Sequence, residues 1–319
     1  MSVYTVVSLE TVQAFAQRFN LDVIGLTPIQ NGIENSNYFV TLADGRELVL
    51  TLFEELSAAD AEVLSGLMQR LSVQGVPVAV PLADQVGVRV HTLAGRPAQL
   101  APRIAGRSPL TPNVSQATQM GMGLAHLHLA LQHDPLPREQ SPTADYSPAW
   151  WMRSKDELLP ILSDADRQLM NQVFDLYDNI GRRYPGLPKG LIHGDAFRDN
   201  TLFVGDQLSG VLDFSTVSYD DWLMDLAITI NDFCTNYPDV TLDSDRVAAL
   251  VEGYDDVRRL FDSEKIALKG YLAMAACRFW ILRLQVAGRN QAEARGGEDV
   301  LVKDPNEMKR MVVERLQGL

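Results

Sequence analysis

The first 154 residues contain no lysine, so any anion gripped by this half of the chain must be held by other means. Cysteine is nearly absent. Cys234 and Cys277 lie in separate apolar, helix-like segments, which excludes a disulfide framework or a thiolate metal centre and predicts two buried thiols in a reducing compartment. No apolar run reaches the roughly eighteen residues a membrane helix needs, and no basic stretch followed by an apolar core opens the chain. A cytoplasmic protein without a membrane partner is therefore expected. Positive charge is scarce as well: 28 Lys and Arg against 41 Asp and Glu give a net charge of −13. That balance argues against nucleic acid and anionic lipid as partners, since both reward clustered cations. A Gly-x4-Gly-Lys-Ser/Thr phosphate loop is missing, and so are internal repeats and low-complexity tracts.

One stretch stands out among what is present. His193-Gly194-Asp195 is followed five residues after Asp195 by Asn200, and then by Asp213-Phe214 at the end of an apolar run. Residues 190–192 lead into this loop. Residues 201–204, a Gly205-Asp206 turn and residues 208–212 read as a β-hairpin. Capping carboxylates and a solvated Asn would be the plain reading of such residues singly. Together they form the constellation for phosphoryl transfer: one carboxylate, Asp195, to accept the proton of an attacking hydroxyl, and Asn200 and Asp213 to hold magnesium against ATP phosphates.

The surrounding pattern fits that chemistry. At 319 residues, 46% hydrophobic and 22% charged, the chain has room for two lobes of ordinary globular composition. Residues 8–20 read as an amphipathic helix. Strands are expected at 22–29, 37–42 and 47–53, the last two joined by the Ala43-Asp44-Gly45-Arg46 hairpin turn. A helix is expected at 57–73, with further strands at 76–78, 87–93 and 97–101. Helices then dominate, at 114–131, 155–184, 223–237, 246–261, 263–285 and 306–316. The expected class is α+β, a two-lobed protein-kinase-like fold. A small antiparallel β-sheet lobe would span residues 1–102, and a larger, mainly helical lobe 103–319. The crossing should fall near residues 99–106, with Ala101 and Arg103 in the strip that meets the adenine.

Asn31, Gly32, Asn35, Ser36 and Asn37 lie between the first two strands. Such a fold places a turn there whose amides face phosphate oxygens; small and amide residues are equally ordinary turn formers. The next strand should supply a phosphate-binding Lys, and Thr51 stands in its place. Glu62, the helix residue that would pair with that Lys, is then expected to be solvated, and Arg46 is a weak substitute for the missing charge. Asp225 is expected to support the loop through the amides near His193 and Gly194, with His193 structural as well. For the acceptor, Asn231 and Asp232 follow on the same helix. Arg278 and Arg283 interrupt an apolar one, where an Arg either pairs with an acid and snorkels or grips a carboxylate, leaving Asp232 to face an ammonium.

These motifs resemble the aminoglycoside phosphotransferase and choline kinase-like superfamily, and within it the homoserine kinase family. The closer likeness lies in Gly32-Ile33-Glu34-Asn35-Ser36-Asn37-Tyr38-Phe39, Leu50-Thr51-Leu52-Phe53-Glu54, Leu191 through Asn200, Ala275-Ala276-Cys277-Arg278-Phe279-Trp280 and Lys303-Asp304-Pro305. Thr51 departs from the superfamily but is similar to what homoserine kinases of this type carry. The resemblance implies ATP- and Mg2+-dependent phosphorylation of the homoserine hydroxyl, a step toward threonine, by a monomer or small homo-oligomer. A kinase of another small alcohol (choline, methylthioribose, an aminoglycoside) and a silent nucleotide-binding module are the alternatives.

Overall fold

Alternation along residues 36–52 builds the first sheet. Tyr38, Val40 and Leu42 of β2 (Ser36–Leu42) and Leu48, Leu50 and Leu52 of β3 (Glu47–Leu52) are buried on one face. With Ala98 and Leu100 of β5 (Arg96–Pro102) they pack on Val12, Phe15 and Ala16 of α1 (Leu9–Ala16). Each large side chain so buried contributes about 1.5–3 kcal/mol. Together with β1 (Val23–Pro28) and β4 (His91–Leu93), the strands run antiparallel in the order β1-β2-β3-β5-β4. Ser57 caps α2 (Ala58–Val73) by accepting the Asp60 amide.

This is a computed structural model that describes residues 5–29, 35–132, 134, 148–292 and 304–318. The chain divides into two units: residues up to Ala105 together with Gly210–Ser215, and Gly106–Ser209 together with Thr216–Leu319. Two strands expected in the first unit are altered. Residues 76–78 form no strand, because Pro77 lacks an N–H and the Val78 amide turns back onto Val76 O. The segment 87–93 is reduced to the three residues of β4.

The second unit is mainly helical. Its α3 (Val114–Leu131) and α7 (Ser244–Val257) pack closely through reciprocal glycines. A Cβ on Gly121 would meet Leu250 O at 2.0 Å, and one on Gly253 would meet Thr118 O at 2.4 Å. The helix expected at 155–184 is two, α4 (Pro148–Leu158) and α5 (Asp164–Arg183). Pro160 cannot continue the ladder, and Ser163 accepts the Asp166 amide to start the second.

Strand β6 (Lys189–Ile192) pairs with β9 (Ser218–Asp221), and β7 (Thr201–Val204) with β8 (Gln207–Val211). Every residue of α6 (Trp222–Phe233) is buried. That helix ends before Tyr237, and residues 235–236 and 241–242 form a small ladder, β10 (Thr235–Asn236) with β11 (Thr241–Leu242). Helix α8 (Asp262–Ala292) runs on beyond the expected residue 285 and packs on α4, α5 and α6. Helix α9 (Pro305–Gln317), capped by Asp304, packs on α8. No helix among the described residues is long and apolar enough to cross a membrane. Cys234 and Cys277 are both free and buried.

Candidate functional site

Gly194 sets the shape of the loop after β6. Its φ is +81°, and a Cβ there would lie 2.7 Å from Thr216 O, so only glycine fits without displacement. The turn aims two amides at one carboxylate. Asp225 of α6, fully buried, accepts His193 N–H at 2.8 Å and Gly194 N–H at 2.9 Å. His128 of α3 adds a third bond through Nε2 at 3.0 Å and holds Tyr254 Oη at 2.7 Å through Nδ1. Burial alone would raise the Asp225 pKa, but the His128 bond and the nearby positive potential hold it below the ordinary carboxylate value. His193 is itself buried; its Nδ1 accepts the Asp195 amide at 3.3 Å, and its carbonyl accepts Thr216 Oγ1–H at 2.8 Å.

Asp195 and Asn200 meet directly. Asn200 Nδ2 donates to Asp195 Oδ2 and to Asp195 O, both at 2.9 Å. The amide nitrogen is thereby spent on Asp195, leaving Oδ1 of Asn200 without a donor among the described residues. Asp213 lies in the 210–215 segment grouped with the first unit. Its φ is +58°, a left-handed conformation uncommon outside glycine, and its Oδ1 accepts the Ser215 amide at 3.1 Å. Taken singly, the Asn200 side-chain carbonyl and the Asp213 carboxylate are each hard oxygen donors of the kind divalent cations accept.

A cavity of about 300 Å3 in the second unit is lined by Phe197, Arg198 and Asp199 of the loop, by Asp232, and by residues of α8 and α9. The Asp232 carboxylate accepts Arg198 N–H at 2.7 Å. Two expected acceptor residues are placed otherwise. Asn231 lines the cavity, but its amide is spent on structure: Nδ2 donates to Leu272 O and Oδ1 accepts from Arg315 Nε, both at 2.8 Å. Arg278 does not line it. Ala275, Ala276, Phe279 and Arg283 do, and at 100° per residue they share a stripe from which residue 278 is rotated away. The buried Arg278 guanidinium instead lies beside Gly194, 3.2 Å from where a Cβ would be, and its charge acts on Asp220.

In the first unit, Asn31 and Gly32 lie outside the described residues. Asn35 Oδ1 accepts the Glu54 amide at 3.4 Å. Ser36 is fully buried, with its hydroxyl donating to Glu54 Oε1 at 2.6 Å and accepting the Thr5 amide, so it anchors the first residue of β2. Thr51 Oγ1 donates to Asn37 Oδ1 at 2.8 Å across the β2–β3 ladder. Ala101 pairs with Val49 and is buried. Arg103 is held by Glu47 at 2.7 Å and lies 4.1 Å over the Phe39 ring. Glu62 is not merely solvated: it accepts the Val90 amide at 3.0 Å. Arg46 pairs with Asp44 inside its own exposed hairpin turn.

His128 and Glu307 escaped the sequence reading, and Glu54 entered it only within the stretch of residues 50–54, with no role of its own. His128 carried a signal, since it shares the α3 face of buried Met120, Leu124 and Leu131, where a His needs polar partners. Glu307 carried none, being an ordinary acid in the first turn of a helix.

The model of the phosphotransferase enzyme family matches residues 25–260. A homoserine kinase of Neisseria meningitidis serogroup B is 37% identical over 98% of this chain and 99% of its own length. A homoserine kinase of Pseudomonas aeruginosa is 35% identical over 99% and 96%. Among solved structures, a spectinomycin phosphotransferase in complex with ADP and spectinomycin superposes with a TM-score of 0.71 at 14% identity, covering 98% of this chain and all of that one. That level of identity supports the shared fold alone.

Proposed function

The chain belongs to the phosphotransferase enzyme family, and from its end-to-end homoserine kinase relatives we infer that it phosphorylates the side-chain hydroxyl of L-homoserine. ATP supplies the γ-phosphoryl group, and the product is O-phospho-L-homoserine, an intermediate of amino-acid biosynthesis. The observation that carries the chemistry is Asn200 Nδ2 on Asp195 Oδ2 at 2.9 Å, in a loop whose amides are clamped by Asp225. That bond fixes one carboxylate oxygen of Asp195 and orients the other.

Asp195 orients the acceptor hydroxyl and takes its proton as the oxygen attacks the γ-phosphorus. The new O–P bond forms as the bond to the β,γ-bridging oxygen breaks, and ADP departs with that electron pair. Asn200 Oδ1 and Asp213 would hold a divalent metal, Mg2+ in this proposal. When bound, it supplies charge neutralisation at the phosphates. The loop containing Asn31, Gly32, Asn35 and Asn37 would cover those phosphates, and the backbone near Ala101 would meet the adenine. An enzyme of this kind works in the cytoplasm as a monomer or small homo-oligomer, with no nucleic-acid or membrane partner.

Choline and aminoglycosides carry no carboxylate, so Arg283 in the cavity lining favours an acceptor that has one, while the acids and aromatic rings of the same lining suit its ammonium. A coupled ADP assay over a panel of small alcohols tests the assignment: homoserine should give the highest acceptor-dependent rate, and a preference for another alcohol would replace it. Asp195→Asn should lower kcat by about a hundredfold or more, the usual contribution of a general base, with ATP binding retained. Near-normal turnover would remove Asp195 from the role.

A further inference from the structure

Two ion pairs face the 300 Å3 cavity beside the catalytic loop, and they are built differently. Arg198 is committed. Its Nη1 donates to Leu110 O at 2.9 Å, its Nε lies 3.6 Å from Asp232 Oδ1, and its guanidinium sits 5.0 Å over the Tyr237 ring. Arg283 is tethered through one nitrogen. Its Nη1 donates to Asp304 O at 2.8 Å and to Glu307 Oε1 at 3.0 Å, while its Nε and Nη2 have no acceptor among the described residues. It lines the cavity beside Phe279, Met308 and Met311, which leaves its unused donors open to a ligand carboxylate. Its partner Glu307 is 30% exposed and Arg283 only 11%, so the acid can swing away while the base stays.

We propose that Arg283 and Glu307 form an exchangeable pair that reads the acceptor as an α-amino acid. The acceptor carboxylate takes the Arg283 fork bidentately, and the acceptor ammonium takes Glu307 together with Asp232. The hydroxyl end then extends toward the loop of Asp195, whose residues 197–199 belong to the same lining. The lining holds both kinds of partner: Asp199, Asp232, Asp304 and Glu307 put acids at hand for one ammonium, and Arg283, unlike the committed Arg198, has donors left for one carboxylate. Tyr237 registers the same field: burial first, then the charges of Asp232 and Glu307, push its phenol up to about 12.

The proposal rests on the phosphoryl-transfer reading, and its test separates the two. Homoserine is compared with 3-aminopropan-1-ol, which lacks the carboxylate, and 4-hydroxybutyrate, which lacks the ammonium. Each is assayed both as a substrate and as a competitor of homoserine, with the KM for ATP and thermal melting as controls. Arg283→Met should lower kcat/KM for homoserine by about 10- to 100-fold, the loss of a charge-assisted contact, while changing the behaviour of 3-aminopropan-1-ol by less than about twofold. Arg283→Lys should recover part of the loss, since a point charge replaces the fork. Glu307→Gln, on the exposed side of the pair, should penalise homoserine and 3-aminopropan-1-ol but spare 4-hydroxybutyrate. Equal losses on all three alcohols would reduce the pair to a structural bridge and overturn the proposal, as would unchanged homoserine kinetics. A wild-type enzyme inactive on homoserine would instead overturn the functional reading itself.

Discussion

Asp220 and Asp225 lie five residues apart, both buried, and are driven in opposite directions. Burial, reinforced by the adjacent Asp221 and opposed by Arg278, pushes Asp220 up to about 7. Asp225 is held low because His128 and two amides complete its hydrogen bonds. The signs of their contributions to stability follow from linkage. The native state keeps a proton on Asp220 that the unfolded chain releases near its ordinary value, so this group makes folding less favourable as pH rises from about 4 to about 7. At 1.36 kcal/mol per unit, the accumulated cost is on the order of 4 kcal/mol. Asp225 contributes stability above the unfolded carboxylate value and loses it only as pH falls through its lower folded value. Asp220→Asn should therefore flatten the pH dependence between 4 and 7, read by urea unfolding at a series of pH values; identical slopes in the two proteins would contradict it. Of these residues, Asp225 was legible in the sequence because it follows the loop it supports at the start of a helix. The buried face of α3 marked His128 as needing polar partners but not which, because the carboxylate it meets is 97 positions away.

At the scale of elements, the strand facing the missing lysine shows how the substitution is accommodated. Asn37, Thr51 and Gln99 lie side by side on β2, β3 and β5, and Gln99 Oε1 accepts from Ser65 Oγ of α2 at 3.0 Å. A cation at Thr51 would have no acid on this row, whereas the hydroxyl is satisfied by Asn37. The row holds the start of β2, and Glu54 holds it again through Ser36 and Asn35. Thr51→Val keeps the shape and removes the bond, worth about 0.5–1.5 kcal/mol. It should raise the KM for ATP by about 2- to 10-fold with kcat and the KM for homoserine unchanged; an unaltered KM for ATP would detach the row from nucleotide binding. The alternating pattern of β2 and β3 made these strands readable. Residues 76–78 misled, because apolar residues flanking a proline resemble a strand until the backbone hydrogen bonds are traced.

At the scale of the whole molecule, the last helix completes what the motif begins. Arg315 of α9 is buried and reaches Asn231 Oδ1, Val240 O and Thr235 Oγ1 at 2.8, 2.7 and 2.7 Å. This ties to α6 the same helix that carries Glu307. Each buried acceptor left without its donor costs about 1–3 kcal/mol, so Arg315→Ala should lower the melting temperature by several degrees and raise the KM for homoserine more than that for ATP. Equal effects on both constants would place α9 outside acceptor binding. The sequence by itself determined the α+β architecture and singled out residues 193–213 as the candidate site, because turn, strand and loop signals are local and the functional groups are named by type and spacing. Only the tertiary structure decided that Arg283 rather than Arg278 lines the cavity, that Ser36 is an anchor, and that Asn231 is spent on α9. Those outcomes depend on helix rotation and on partners tens of residues away, which no local pattern encodes.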